Sequence, residues 1–303
     1  MQIDETIALT LKEAAGSIAN RPARNADAEA ANRDDARLDA EVLLAHVLNQ
    51  PRSWLYAYSD SPLEATAARQ FRQLLVERIK GVPVAILTGH QEFWSLNLKV
   101  TPDVLVPRPE TEQLVEVALM KIQSIKKPRI LDLGTGSGAI AIALASERPD
   151  ADITAIDFST AALAVAKGNA SHISKTKQNF PPIRFLQSDW FSALKNLPDD
   201  ALQEFDLIVS NPPYLASDDP HLQGDIRHEP LAALAGGPSG LESLAEIISA
   251  APDFLETSGT LILEHGATQA DDLQQMLKVA NYTCIETHQD LAGLSRITMA
   301  QLG

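Results

Sequence analysis

With 40 Asp and Glu against 25 Lys and Arg, this 303-residue chain carries a formal net charge of -15, so its mean field repels phosphate backbones and no stable nucleic-acid partner is expected. Its length exceeds what one hydrophobic core ordinarily organises, which predicts two domains. The lone Cys284 excludes an internal disulfide, Met1-Gln2-Ile3-Asp4-Glu5 lacks the basic and apolar regions of a signal peptide, and no apolar run approaches the roughly 20 residues of a membrane span; a cytoplasmic protein with no membrane partner is the expectation.

Residues 1–81 read as a small N-terminal bundle of about four helices. Leu38, Val42, Ala45 and Leu48 recur at i, i+4, i+7 and i+10; Leu63, Ala67, Phe71, Leu74 and Arg78 make a second stripe, and Gly81 is placed to cap it. Pro22 and Pro51 mark breaks between helices. Arg21, Arg24, Arg33, Arg37 and Arg52 are interspersed with nearly as many acids, as on a solvated helical surface rather than a basic arm. No catalytic constellation occurs here, which leaves substrate docking or plain stabilisation as the role.

From 82 to 109 the period changes. Trp94, Leu96, Leu98 and Val100 alternate with Ser95, Asn97 and Lys99, which predicts a β-hairpin connector, stiffened by Pro102, Pro107 and Pro109. The third segment, 110–303, opens with a helix carrying Leu114, Ala118, Ile122 and Ile125. Arg108 and Glu110 ahead of it fit a surface pair as well as a site, since surface ion pairs decide little.

Beyond Arg129, strands and helices alternate. Arg129–Leu133, Ile153–Phe158, Ile183–Gln187, Phe205–Ser210 and Thr260–Glu264 are short apolar runs of buried parallel type, with helical stretches near 138–147, 160–170, 240–257 and 268–280. The last two strands, Tyr282–His288 and Ser295–Ala300, are separated by too few residues for a parallel crossover and must pair antiparallel. Cys284, between Thr283 and Ile285, is expected as a buried strand thiol without catalytic role. The sum is an α/β fold with a seven-stranded Rossmann-like sheet, the layout of class I S-adenosylmethionine methyltransferases.

Three motifs fall at the carboxyl ends of these strands. Asp132-Leu133-Gly134-Thr135-Gly136-Ser137-Gly138 opens into a helix, so Gly134, Gly136 and Gly138 permit close backbone approach while Thr135, Ser137 and the helix N-terminus supply donors. Gly134-x-Gly136-x-x-Ala139 fits NAD as well as S-adenosylmethionine. Asp157, ending the second strand, can accept from ribose hydroxyls, with Ser159 or Thr160 free to cap the next helix. After the third strand, Asp189 can accept from an adenine amine while Trp190 or Phe191 packs on the ring. The fourth strand delivers Asn211-Pro212-Pro213-Tyr214: a side-chain carbonyl, backbone carbonyls without N–H, and an aromatic face, which suit a planar NH2 group.

These motifs, with Gly89-His90-Gln91-Glu92-Phe93-Trp94, Val106-Pro107-Arg108-Pro109-Glu110-Thr111-Glu112, Arg227-His228-Glu229-Pro230, Leu263-Glu264-His265-Gly266 and Asp290-Leu291-Ala292-Gly293-Leu294-Ser295-Arg296, resemble the HemK/PrmC family of peptide chain release factor glutamine N5-methyltransferases. Asp39-Ala40-Glu41-Val42-Leu43-Leu44 resembles that family's second helix, and the loop Ser171–Pro182 is the main variable segment. The resemblance implies methyl transfer from S-adenosylmethionine, leaving S-adenosylhomocysteine, to the glutamine amide of the Gly-Gly-Gln loop of class-1 release factors, which the N-terminal bundle helps to dock.

An amide nitrogen is a poor nucleophile because its lone pair is delocalised. Acceptors on its two N–H bonds strengthen their hold as positive charge develops during attack, a task assigned to the Asn211 oxygen and the Pro212 carbonyl, with Tyr214 holding the amide plane. His221, His228 and His265 lack a third ligand at a recognisable spacing, so no metal is expected; His265 reads as a hydrogen-bonded strand-end residue, and Arg227 and Glu229 as ordering the loop after Tyr214. The competing assignments are a ribosomal-protein glutamine methyltransferase, an adenine-N6 methyltransferase on nucleic acid, an NAD-dependent oxidoreductase and a noncatalytic S-adenosylmethionine-binding adaptor.

Overall fold

The computed structural model of the chain describes residues 6–21, 33–195 and 204–303. Met1–Glu5, Pro22 and Arg24, read above from sequence, lie outside them. Two compact units emerge: the described residues up to Gly89 with Pro220–His228, and His90–Asp219 with Glu229–Gly303.

Among the described residues the first unit holds five α-helices: α1 (Ile7–Ala19), α2 (Arg33–Leu48), α3 (Arg52–Ala57), α4 (Ala65–Ile79) and α5 (Val84–Thr88). α1 starts where the Thr6 hydroxyl accepts from the Leu9 N–H at 3.3 Å. Its Ile7, Ala14 and Ile18 pack with Ala36, Ala40, Leu43 and Leu44 of α2, Leu55 of α3 and Phe71 of α4. The stripe expected on α2 holds in its second half, where Ala45 is buried and Leu48 packs against the core, but Leu38 is 41% exposed, because the first turns of the helix present Ala36 and Ala40 to the core instead. After α4, Gly81 adopts φ +99°, donating to Arg78 O at 2.9 Å while Val82 N–H reaches Glu77 O at 3.1 Å, a Schellman end.

Charge holds the rest of this unit together. Arg78 donates to Asp39 at 2.7 Å and to Asp225 at 3.0 Å, and Arg21 pairs with Asp225 at 2.7 Å. Asp225 therefore ties the excursion Pro220–His228 to α4. Glu41, 1% exposed, receives Arg37 at 2.9 Å, Arg52 at 2.8 Å and the Tyr56 hydroxyl at 2.7 Å.

The second unit begins with a hairpin, β1 (His90–Phe93) and β2 (Leu96–Lys99). Leu96, Leu98 and Val100 share the buried side as expected, but Trp94 sits in the two-residue turn, with φ +54° there and +57° at Ser95. Both positive angles are what a type I′ hairpin turn demands. Then follow α6 (Thr111–Lys121), β3 (Arg129–Leu133), α7 (Ala139–Glu147), β4 (Asp152–Asp157), α8 (Thr160–Ile173), β5 (Ile183–Gln187), α9 (Ser192–Lys195), β6 (Phe205–Ser210), α10 (Glu242–Ala250), β7 (Leu255–Glu264), α11 (Ala270–Val279), β8 (Tyr282–Gln289) and β9 (Ser295–Leu302). β3 to β9 form a seven-stranded sheet in the order β5-β4-β3-β6-β7-β9-β8, apart from the hairpin. All pairings are parallel except those of β9, antiparallel to both β7 and β8.

Alternation along the strands splits the core in two. Ile130, Ile153, Leu207, Val209 and Ile262 join α6, α7 and the hairpin, whereas Leu131, Leu133, Ile156, Ile208 and Leu261 join α10 and α11. Asn169 of α8 anchors the hairpin: its oxygen accepts from Lys99 N–H at 2.8 Å, and its NH2 donates to Lys99 O at 3.0 Å and Ser137 O at 2.9 Å.

Two sequence expectations fail here for local reasons. The helix drawn to 257 ends at Ala250, and β7 starts at Leu255, because Pro252 lacks the N–H an α-helix needs and forces a 3₁₀ turn over Ala251–Asp253. Cys284 is exposed, with φ +49°, at a register shift between Thr283 and Glu286; the bulge turns the thiol out of the sheet.

Candidate active site

β3 runs beside both β4 and β6, so successive strands leave it in opposite directions, and the crevice at such a switch point lies at the carboxyl edge. Register aligns that edge: Leu133 pairs with Ser210, and Ser210 with Leu263. Gly134, Asn211 and Glu264 are thus the next residues on three adjacent strands.

The glycine loop is built from backbone. Gly134, Gly136 and Gly138 all have positive φ, +71°, +55° and +85°, accessible to glycine without strain. A Cβ on Gly134 or Gly136 would meet nothing closer than 3.9 Å, whereas one on Gly138 would come within 2.9 Å of Ile142. The first two keep space open above the loop, and the third lets α7 pack. Thr135 and Ser137 are buried; the Thr135 hydroxyl donates to Asp132 at 2.6 Å. Burial raises the Asp132 carboxyl to about 7, opposed by bonds from Thr135 and the Ala141 N–H, and its Oδ1 has no partner.

Asp157 spends one oxygen on the Gly136 N–H and the other on the Ser159 N–H, each at 2.8 Å. Burial raises its pKa against those two bonds, and each oxygen keeps a lone pair for a further donor. Ser159 caps α8, accepting from Ala162 N–H at 3.2 Å. Phe158, read as the last strand residue, lies beyond β4 and is 70% exposed: an aromatic ring at the cofactor edge that strand patterning concealed. Trp190, with φ +41°, packs its ring 3.9 Å from where a Gly134 Cβ would stand. Phe191 faces inward, stacked on Phe254 at 4.7 Å, and so is not available to a ligand. Asp189 is exposed.

Asn211-Pro212-Pro213-Tyr214 follows β6 directly. The Asn211 NH2 donates to the Thr111 hydroxyl at 3.2 Å; among the described residues nothing donates to the Asn211 oxygen or the Pro212 carbonyl. Tyr214 is half-buried, and burial, with Glu264 the next influence, pushes its phenol up to about 12, so it stays a donor. Gly236 and Gly240 shape the back of this loop. A Cβ on Gly236 would overlap the Pro213 carbonyl, and one on Gly240, φ +79°, the Tyr214 carbonyl. Gln269 donates to that Tyr214 oxygen at 3.0 Å. The run Gly236-Gly237-Pro238-Ser239-Gly240 was the available sequence signal for this support.

Arg108 does not pair with Glu110. It binds Glu229 at 2.5 Å, whose second oxygen accepts from Val106 N–H at 2.8 Å. Glu229 therefore orders the segment before α6, while Arg227 bonds Gly224 O and Lys80 O in the helical unit. His265 is fully buried. Its Nδ1–H donates to Gly266 O at 2.9 Å and its Nε2 accepts from Thr298 at 2.9 Å, with burial lowering its pKa. No group of three possible metal ligands and no helix long and apolar enough to cross a membrane occur among the described residues.

Residues 125–299 match the family described as a methyltransferase domain, and residues 25–89 the PrmC N-terminal domain. The same fold occurs in the hMettl16 catalytic domain, at 14% identity and TM-score 0.53, covering 79% of this chain and 83% of that one. Sheet order, glycine loop and family match define a class I methyltransferase. The chain is 46% identical to the release factor glutamine methyltransferase of Burkholderia pseudomallei, covering 93% of this chain and 97% of the relative, and 45% identical to those of Salmonella typhimurium and Escherichia coli, covering 88% of this chain and 92% and 93% of theirs. It belongs to the release factor glutamine methyltransferase family.

Proposed function

We propose that this protein transfers a methyl group from S-adenosylmethionine to the side-chain amide nitrogen of the glutamine in the Gly-Gly-Gln loop of class-1 peptide chain release factors, in the cytoplasm. The observation that carries the chemistry is the one-sided polarity at 211–214. Asn211 commits its NH2 to Thr111 and keeps its oxygen, the Pro212 carbonyl has no donor, and prolines supply no N–H. Such a pocket takes a group that only donates, as a primary amide nitrogen does.

The cofactor edge fits its part. Open space over Gly134 and Gly136, free lone pairs on Asp157 and the unpartnered buried Asp132 Oδ1 suit a ligand with a diol and a cationic end. We assign Gly134, Thr135, Gly136, Ser137, Gly138, Asp157, Asp189, Trp190 and Asn211 to its binding. S-adenosylmethionine supplies there an electrophilic methyl group and is left as S-adenosylhomocysteine.

The Asn211 oxygen and the Pro212 carbonyl each accept one N–H of the substrate amide. Their hold strengthens as the nitrogen becomes positive, which favours the transition state over the bound substrate. Pro213 and Tyr214 complete the slot, with the Tyr214 ring keeping the amide plane aligned. The methylated amide is acidic and yields its extra proton to water, so no strong base is required. The helical domain, 1–81, is assigned to docking the release factor, and the hairpin segment 82–109 to linking it to the methyltransferase domain, 110–303. The test is incubation with labelled S-adenosylmethionine and, separately, a release factor, the same factor with its loop glutamine replaced, ribosomal protein and DNA. Label on the intact release factor alone is expected; label confined to ribosomal protein or DNA refutes the assignment.

A further inference from the structure

Pro212 and Pro213 shape the acceptor turn but have no N–H with which to anchor it. The sheet holds its front end: Ser210 lies in register between Leu133 and Leu263, and its hydroxyl donates to Leu133 O at 2.7 Å. The back end has left the sheet by Tyr214, so the group that holds the Tyr214 carbonyl sets the pitch of the slot between them.

Gln269 is that group. Its NH2 donates to Tyr214 O at 3.0 Å and to Gly240 O at 3.3 Å, and its Oε1 accepts from the Gly266 N–H at 2.8 Å. A side-chain amide can turn end for end, and only its partners decide which end faces where. Here the partners leave no choice. A backbone N–H only donates and two carbonyls only accept, so the flip of Gln269 is fixed. The Gly240 carbonyl belongs to a strap bound to the same turn: Leu215 N–H donates to Leu234 O at 3.0 Å, Gly236 N–H to Leu215 O at 2.9 Å and Ser217 N–H to Gly237 O at 2.9 Å. Because a Cβ on Gly236 would overlap Pro213 O and one on Gly240 would overlap Tyr214 O, strap and turn meet backbone to backbone. Gln269 bridges the two.

The bridge is rooted in the sheet. Gly266 O accepts from Gln269 N–H and from His265 Nδ1–H, each at 2.9 Å. That carbonyl only accepts, so Nδ1 carries the hydrogen, and Nε2, on a ring whose pKa burial lowers, accepts from Thr298 at 2.9 Å. A hydroxyl has one hydrogen to give, so Thr298 in turn accepts from Thr287 at 2.8 Å, and Thr287 from the Gln274 NH2 at 3.0 Å. The series crosses β9 and β8 and returns to α11, the helix that begins just after Gln269.

We propose that Gln269 is a positioning residue for the methyl transfer: by fixing the Tyr214 carbonyl it fixes the aim of the Pro212 carbonyl and the Tyr214 ring at the substrate amide. This rests on the reading of residues 211–214 as the acceptor slot. Without Gln269 the turn keeps its composition and loses its pitch, and a small misplacement of groups that act in the transition state lowers turnover more than it lowers binding.

The experiment measures kcat, KM for a release factor, S-adenosylmethionine affinity by calorimetry and melting temperature for wild type, Gln269→Glu and Gln269→Met, at about pH 8, where a glutamate is ionised. Gln269 is half-buried, so neither change opens the core. Gln269→Glu keeps an oxygen for the Gly266 N–H and turns a second oxygen toward the Tyr214 and Gly240 carbonyls; Gln269→Met fills similar space and makes none of the three bonds. In both, kcat should fall by about 10-fold or more, at least as far in Gln269→Glu, with KM and cofactor affinity changed by no more than a few-fold and melting little changed. A role confined to bracing Gly266 would leave Gln269→Glu at wild-type kcat, and that result overturns the proposal. So does a rise in KM with kcat unchanged, or a loss of cofactor affinity in step with kcat. A wild-type protein that leaves the release factor unmethylated refutes the assigned function instead.

Discussion

Two glutamates, Glu41 in the helical unit and Glu264 at the carboxyl edge of the sheet, are each 1% exposed and have opposite electrostatic fates. Burial raises the pKa of both. At Glu41, hydrogen bonds from Arg52, Tyr56 and Arg37 more than reverse it, and the carboxyl ends below its ordinary value. At Glu264 a single hydroxyl, with Arg296 and Arg108 acting from further off and Glu110 opposing them, leaves it at about 7. Depth of burial thus says little about role. A carboxylate met by two guanidinium groups and a phenol is a structural joint; one left nearly alone beside Asn211 is in a strained electrostatic state that a site can use.

Substitutions sharpen this contrast. Glu41→Ala should destabilise the protein by about 2 kcal/mol, below the usual range for a broken buried pair because Arg37 and Arg52 can turn to water; denaturant melts check it. The Glu41 contribution is present above its unfolded pKa near 4.5 and is lost as pH falls through its lower folded value. Glu264 has the reverse sign. Its folded state binds a proton more tightly than the unfolded chain, so stability declines as pH rises from about 4.5 to about 7 and then levels. Glu264→Gln should accordingly raise stability at about pH 8 by up to about 3 kcal/mol, the gain vanishing toward pH 4.5. Melts at the two pH values decide it, and a loss of stability at the higher pH contradicts the contrast. Cys284→Ser, at an exposed bulge, should shift stability by no more than about 0.5 kcal/mol and supplies the baseline.

The sheet was legible from sequence because its signal is local: Arg129–Leu133, Ile183–Gln187 and Phe205–Ser210 are bounded apolar runs, and the structure keeps those limits. Legibility failed where two neighbouring conformations carry the same composition. Trp94 continues an alternating pattern yet occupies the hairpin turn, Thr283 and Cys284 look like core strand yet are exposed at a bulge, and Leu38 fits the helical period one step off the packed face. At the site, the glycine loop and the Asn-Pro-Pro-Tyr turn announce themselves, because backbone freedom and its loss are written in single residues. What supports the turn does not. Thr111, at the start of α6, meets Asn211 only through tertiary packing, and Glu264 comes to the same edge only through the register of β6 against β7.

The central claim, that Asn211 serves the acceptor amide far more than the methyl donor it also borders, is tested most directly by Asn211→Ala. Single-turnover methylation of a release factor and calorimetric binding of S-adenosylmethionine are measured on the same preparation. Turnover should fall by about 100-fold or more with cofactor affinity changed by no more than a few-fold. Parallel losses in both would make Asn211 chiefly a cofactor-binding residue and contradict the account.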